Sequence, residues 1–473
     1  MSKEIMNKQD EIDPMSFAAP GAAAPGLAVP SGRWSRLARM GQLASGIAGG
    51  MLAEGARQLA QGKRPAIGDL LMTPANAHRV ANQLAHLRGA AMKVGQLLSM
   101  DAGDLLPPEI GAILARLRAD ATPMPMSQVV EVLEANWGKG WNKQFQQFSF
   151  VPTAAASIGQ VHFAQTKDGR RIAIKIQYPG VRQSINSDVD NVAALLRMSG
   201  LLPPALDIGP LLHDAKRQLH DEADYLCEGA FMTRYGQLLA DAPHYAVPQL
   251  VPELTSQNVL AMSRMDGVAI ESLVNAPQAV RDRIAGLLIA LLLRELFEFG
   301  LVQTDPNFAN YRYDTDTNQV ILLDFGATRT YPATLVDQFR RIIQGAIKGD
   351  RPAMDQAACA IGYYGIDTIE RHRSAVLALF TQACEPLSYE GEYDFGRSDL
   401  GARIRDAGLA LGRDRDFWHT PPTDALFLHR KLGGLYLLAA RLKARVDVRA
   451  LVESTLAPGT LIQSDTGKID IKN

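Results

Sequence analysis

The sequence predicts an α+β fold: two unequal lobes, preceded by a helical extension. Three observations predict it. Arg170–Tyr178 is a β-like run with Lys175 inside it. Asn318–Leu323 is an apolar run that reads as a buried strand and ends on Asp324-Phe325-Gly326. Ile284–Leu293 is ten apolar residues of helical character, and it feeds a polar loop, Gln303–Asn310, in which Asp305 and Asn310 stand five positions apart.

Chemistry explains why these residue types occur together. Asp-Phe-Gly after a strand is the metal-binding triplet of protein-kinase-like enzymes, and the Asp305/Asn310 spacing is that of a kinase catalytic loop. A nucleoside triphosphate travels with Mg²⁺, which takes few protein ligands, all hard oxygens, and completes its shell with phosphate and water. Asn310 and Asp324 could supply two such oxygens and leave Asp305 to orient a nucleophile. Lys175 would reach the α/β phosphates, held by a carboxylate from an acidic helix with Glu222, Asp224 and Glu228, in which Asp224 and Glu228 at i,i+4 would share a face. A lone triplet reads as a strand end with a turn glycine. The ordered set reads as a protein-kinase-like two-lobed fold.

Two segments depart from ordinary kinases. The loop ahead of Lys175 carries Ala154, Ala155, Ala156 and Ser157 where glycines would let backbone amides close over phosphates. Alanine disfavours positive φ, so this loop is stiffer. Further upstream, Lys93 and Gln96 fall at i,i+3 on one helical face. In isolation they read as a solvated pair on a surface helix.

Together these segments resemble the UbiB/ADCK (AarF-domain-containing) family of atypical kinases. The resemblance is carried by Lys93-Val94-Gly95-Gln96 (the KxGQ motif), Ala154–His162, Ile172–Gly180, Glu222-Ala223-Asp224-Tyr225, Thr304-Asp305-Pro306-Asn307 and Leu323–Gly326, in order between residues 90 and 330. It implies ATP or ADP with Mg²⁺ as cofactors, Asp305 and Lys175 as catalytic residues, and Asn310 and Asp324 as metal ligands. Ala154–Ser157, Lys175, Glu228 and Met265 would line the nucleotide. Lys175 would pair with Glu228. Lys93 would fold back to Glu222 so that the KxGQ helices, with Gln96 and Asp224, regulate access to the cleft. It further implies a role in ubiquinone biosynthesis at a membrane surface. Three residues depart from the family pattern. Gln303 stands where the family usually has His, and Cys227 and Gly229 stand where Arg and Ala are common. Glycine inside a helix costs about 1 kcal/mol relative to Ala.

Composition bounds the rest. At 473 residues the chain exceeds one ordinary core. Hydrophobic content of 47% and charged content of 21% fit a soluble globular protein, and a net charge of −1 gives no field for nucleic acid. Cys227, Cys359 and Cys384 lack metal-ligand spacing, which argues for a reducing compartment and against structural zinc. His162 reads as packed or solvated, not as a ligand. No secretory signal opens the chain, and Glu4, Asp10, Glu11 and Asp13 argue against a transit peptide.

Taken in order, residues 1–32 read as a low-complexity tail. Residues 33–73 hold an amphipathic helix, with Arg33, Arg36 and Arg39 interleaved with Trp34, Leu37 and Leu43. That helix either lies on an anionic membrane surface or packs on its own domain. Residues 74–149 form the KxGQ extension, with helix starts at Thr73-Pro74 and Ser127. Residues 150–265 form the small lobe, ending on strand Val259–Met265, and residues 266–460 the helical large lobe. Residues 461–473 are a polar tail. Neither Met40–Ala53 nor Ile284–Leu293 reaches the ~20 residues of a membrane span, and the polar C-terminus offers no anchor. No activation segment is visible after Gly326. The expected location is cytoplasmic, peripheral to an inner membrane. Partners would be adenine nucleotide and ubiquinone-pathway enzymes or lipid intermediates. A homodimer is left open, and so is a nucleotide-gated scaffold or lipid-extraction role without turnover. A protein kinase acting in trans is disfavoured.

Overall fold

The computed structural model describes residues 89–90, 93–94, 123–156, 158–198, 208–413 and 421–456. The expected tails, the amphipathic helix of 33–73, Gln96 and Ser157 lie outside the described residues.

The small lobe opens with α1 (Met126–Trp137), β1 (Phe145–Phe148), β2 (Ala154–Ala155), β3 (Gly159–Thr166) and β4 (Arg171–Gln177). Helix α1 starts on Pro125 with no side-chain cap, so Ser127 lies inside its first turn. The chain then passes through α2 (Val181–Met198), α3 (Gly209–Glu222), α4 (Tyr225–Leu238) and β5 (Tyr245–Ala246) before returning as β6 (Val259–Ser263). The antiparallel sheet runs β1-β3-β4-β6, with β2 folded back on β3. Strand β1 and helix α1 thus belong to this sheet unit although they precede residue 150.

Alternation along β4 decides what faces the cleft. Successive side chains of a strand point to opposite faces. Ile172, Ile174 and Ile176 therefore share a face with Val259 and Ala261 of β6, buried against Val129 and Leu133 of α1 and against Trp141 and Phe145. Each such isoleucine contributes about 1.5–3 kcal/mol. Leu260 and Met262 belong to the main core, together with Tyr225 of α4. Lys175, opposite Leu260 in the register, is delivered to that inner side. Gly159 is needed where β3 crosses β4, because a Cβ there would lie 2.3 Å from the Ile176 carbonyl oxygen.

The large lobe begins after β6 with β7 (Val268–Ala269). Helix α5 (Gln278–Arg294) ends in one π-helical turn, Glu295–Phe299, and leads into β8 (Leu301–Gln303). It is the buried feeder helix expected from Ile284–Leu293. Strands β9 (Tyr311–Asp314) and β10 (Gln319–Leu322) join β5 and β7 in a second sheet, and β11 (Thr328–Thr330) pairs with β8. Helices α6 (Ala333–Lys348), α7 (Arg351–Ile361), α8 (Glu370–Ala383), α9 (Leu400–Arg413), α10 (Thr423–Arg441) and α11 (Val448–Thr455) complete the lobe. No helix among the described residues is long and apolar enough to cross a membrane.

The acidic stretch differs from the single helix in which Asp224 and Glu228 would share a face. Helix α3 ends at Glu222, and Asp224 is the N-cap of α4, its carboxylate accepting from the Cys227 amide at 3.1 Å. An Asp side chain competes for free backbone amides and so favours a helix start over a helix interior. The break turns Glu222 and Glu228 toward different partners. Gly229 has a packing reason: a Cβ there would sit 3.0 Å from Leu250 and 3.4 Å from Leu260.

Candidate nucleotide and metal site

Lys175 is the hub. Its Nζ donates to the two Glu228 carboxylate oxygens at 2.8 and 3.1 Å and to Asp324 Oδ2 at 3.0 Å. Strand β4 supplies the lysine, α4 the glutamate, and the turn just past β10 the aspartate, so three segments meet in one ion cluster. Gly326 N–H donates to Asp324 Oδ1 at 3.0 Å, which folds the triplet into a tight turn. Phe325 is buried and packs on Tyr235 of α4 with ring centroids 5.0 Å apart. The Lys175 ammonium also lies 5.4 Å from the centre of the Tyr225 ring, an attraction to its π face.

Asp305 and Asn310 meet across their loop, Asn310 Nδ2 donating to Asp305 Oδ2 at 3.1 Å. That leaves the Asn310 side-chain oxygen for a cation. Thr304 anchors the loop to the residue after the triplet, its amide and hydroxyl both donating to the Ala327 carbonyl at 3.0 and 2.7 Å. The donor set fits Mg²⁺: two protein groups with hard oxygens, the rest left to phosphate and water. Among the described residues no cluster of three or more His, Cys, Asp or Glu side chains could hold a metal unaided.

Lys93 lies in helical backbone, is 2% exposed, and forms an ion pair with Glu222. The Cβ position of Gly326 is 3.5 Å from both Glu222 Cα and a Glu228 oxygen, so the elbow between α3 and α4 sits on the triplet's turn. Asp224 faces outward, with Arg182 at 3.7 Å. Ala154 and Ala155 are exposed and extended in β2, and the amides of Thr153 and Ala156 donate to Val161 and Gly159 carbonyls at 2.8 and 2.9 Å. Those amides are occupied by the hairpin and are not free for phosphate. Met265 is half-buried just past β6, where the chain passes to the large lobe. His162 is buried as a packed residue. Its Nδ1–H donates to the Ser149 carbonyl at 2.8 Å, and its Nε2 accepts from Gln160 at 2.8 Å.

Several residues around the site were not anticipated. Lys431 of α10 is buried and donates to Gln303 Oε1 at 3.0 Å and to Tyr311 Oη. Tyr235 Oη donates to Glu295 at 2.7 Å. Arg329 of β11 pairs with Asp221 of α3 at 3.0 Å. For Lys431 a signal existed: it interrupts the apolar stripe Leu428, Leu435, Leu438 at helical spacing, where a solvated lysine does not belong.

Two carboxylates share one ammonium, and burial decides between them. Burial alone would lower Lys175, but Asp324 and Glu228 outweigh it and hold the ammonium well above its ordinary value. Asp324 is 28% exposed; burial works to raise it, yet Lys175 and the Gly326 amide hold it below the usual carboxylate range. Glu228, 1% exposed, is pushed up to about 7 by burial, against the pull of Lys175. Glu228 therefore takes a proton first. Its folded value exceeds the unfolded ~4.3, so its contribution to stability is full below that value and is lost as pH rises through about 7. Between pH 5 and 8 the nucleotide-free protein should lose about 1–3 kcal/mol relative to Glu228→Gln, measured by denaturant unfolding. The histidines are common to both proteins and cancel. Parallel pH profiles would contradict the assignment.

Comparison with known proteins matches a family described as ABC1 atypical kinase-like domain over residues 116–358. The atypical kinase COQ8B, mitochondrial, of Rattus norvegicus is 40% identical over 438 residues, which are 90% of this chain and 81% of that protein. The atypical kinase COQ8, mitochondrial, of Saccharomyces cerevisiae is 35% identical over 433 residues, 91% and 86% of the two chains. Among solved structures, Rv3197 of Mycobacterium tuberculosis in complex with erythromycin has a TM-score of 0.55 at 26% identity, covering 80% of this chain and 96% of that one.

Proposed function

Because the chain belongs to the ABC1 atypical kinase-like family, we propose that it binds adenine nucleotide with Mg²⁺ between its lobes. In this reading it hydrolyses ATP slowly, or transfers phosphoryl to a small or lipid-like acceptor, in support of ubiquinone biosynthesis at a membrane surface. The observation that carries the reading is Lys175 bonded at once to Glu228 and to Asp324. Glu228 holds the lysine along the cleft. Asp324 and Asn310 present oxygens to the cation, and Asp305, oriented by Asn310, takes or aligns the proton of the nucleophile. When bound, Mg²⁺–ATP supplies the transferable phosphoryl group and the counter-charge for it. The large lobe is kept at 266–460, and the small lobe, expected at 150–265, is extended to take in α1 and β1, which pack on its sheet.

Two features argue against a peptide acceptor. The Lys93–Glu222 pair lies beside the triplet's turn, and Gly326 leads through β11 into α6 without a platform for an extended peptide. The relatives are mitochondrial by name, and that address replaces free cytoplasm in the proposal while keeping attachment to an inner-membrane surface.

Steady-state phosphate release, with and without anionic liposomes, tests the reading. Wild type should release phosphate, faster with liposomes, and Asp305→Asn should lose at least the 10²-fold typical of a general base. Nucleotide-dependent capture of ubiquinone-pathway enzymes without any phosphate release would replace it with a nucleotide-gated scaffold.

A further inference from the structure

Helix α10 is more than a hundred residues from the catalytic loop in sequence, yet it grips that loop at three points. Lys431 is 2% exposed, and its ammonium donates to Gln303 Oε1 at 3.0 Å and to the Tyr311 hydroxyl. Gln303 lies two residues before Asp305, and Tyr311 immediately follows Asn310. One side chain thus ties together both ends of the loop that carries the Asp305–Asn310 pair. One turn further along α10, Gly434 meets the middle of the loop. A Cβ there would stand 2.4 Å from Pro306 Cβ and 3.3 Å from the Pro306 carbonyl oxygen. Only glycine lets the helix press this close to the residue after Asp305.

A buried ammonium is costly unless it is paired and hydrogen-bonded. Burial works to lower Lys431, but Tyr311, Glu295 and Asp305 outweigh it and keep the group charged. Glu295 connects the staple to the rest of the site. Its Oε1 accepts from the Gln303 amide at 3.4 Å and from Tyr235 at 2.7 Å, and Tyr235 packs on Phe325 of the metal-binding turn. The charge on Lys431 is therefore answered on the inner side of the loop, away from solvent.

We propose that Lys431 is a positioning residue: it fixes the Gln303–Tyr311 loop so that Asp305 and Asn310 hold their spacing before nucleotide arrives. It touches no reacting atom and acts by preorganising the two groups that do. The inference rests on the catalytic reading of Asp305 given above. It adds a residue of α10 to the machinery, and it explains why the lysine interrupts an apolar helical stripe.

The test combines kinetics with hydrogen exchange. Lys431→Met keeps the length and volume of the side chain and removes the charge. It should lower kcat for phosphate release by up to about 100-fold, the effect of an ångström-scale misplacement, with KM for Mg²⁺–ATP little changed. In the nucleotide-free protein, amide exchange should rise in peptides spanning 303–311 and not in those spanning β4. The double variant Lys431→Met/Gln303→Leu removes the lysine together with one of its two acceptors and leaves the Tyr311 hydroxyl. It should recover part of the lost thermal stability without recovering kcat. Gly434→Ala leaves the ammonium in place and displaces Pro306, so it should reproduce the kcat loss and serves if Lys431→Met does not fold. The proposal is overturned if kcat returns with stability in the double variant, or if exchange rises evenly across both lobes. Asp305→Asn separates the two claims. If it abolishes turnover while Lys431→Met and Gly434→Ala do not, only the positioning role fails. If Asp305→Asn is fully active, the catalytic reading itself fails.

Discussion

Asp324→Asn should remove the Mg²⁺-dependent part of nucleotide binding and, with it, turnover. The substitution keeps the size of the side chain and one oxygen, but it takes away the charge that a hard divalent cation requires. It also changes the ion cluster. Lys175 loses the partner at 3.0 Å and is left with Glu228 alone, the deeper and less readily ionised of its two carboxylates. A ligand at 100 times its Kd stabilises the folded state by about 2.7 kcal/mol. Wild type should show that gain with Mg²⁺–ATP and a smaller one with ATP and a chelator. The variant should show the smaller gain under both conditions. An equal Mg²⁺–ATP gain in the two proteins would remove Asp324 from the metal site.

Lys93→Ala should move two quantities in opposite directions. Lys93 and Glu222 are both largely buried, and removing one member of a buried ion pair costs up to about 3–5 kcal/mol. The nucleotide-free variant should therefore unfold at a lower temperature. Lys93 is, however, also within electrostatic reach of Asp305 and Asp324. Burial works to lower its ammonium, but Glu222, Asp305 and Asp324 outweigh it and hold the group above its ordinary value. Removing that ammonium takes a competing positive charge from Asp305 and from Asp324, the acid proposed to bind the metal. The stabilisation conferred by Mg²⁺–ATP should then grow even as the baseline falls, and autophosphorylation should rise. A variant that loses baseline stability and nucleotide stabilisation together would show that Lys93 builds the site and does not restrain it.

Much of the site was legible in the sequence because its signals are local. The run around Lys175 reads as a strand, and the alternation of that strand carries the lysine to the inner side. Asp324-Phe325-Gly326 reads as a strand followed by a tight turn, and the Gly326 amide on Asp324 is that turn. The spacing of Asp305 and Asn310 is short enough for one loop, and the two side chains are bonded across it. Where local reading fell short, a competing local preference prevailed. Asp224 capped a helix and did not extend one, so the acidic stretch broke into α3 and α4. The Ala-rich segment folded onto β3 as a hairpin, which occupies the Thr153 and Ala156 amides.

The sequence by itself determined which chemical groups are present, in what order, and on what kind of element Lys175, Asp305, Asn310 and Asp324 stand. Periodicity and capping act over a few residues, and a chain cannot hide them. Spacing alone could not assign Glu222 and Glu228 to their two lysines; only the family resemblance suggested the pairing. The tertiary structure made the choice, joining Lys93 to Glu222 over 129 residues and Lys175 to Glu228 over 53. It alone brought Lys431 under Gln303, 128 residues away. Such pairings depend on how the buried faces of α3, α4, α5 and α10 pack around the triplet. A charge taken out of water must find its counter-charge wherever that packing places one.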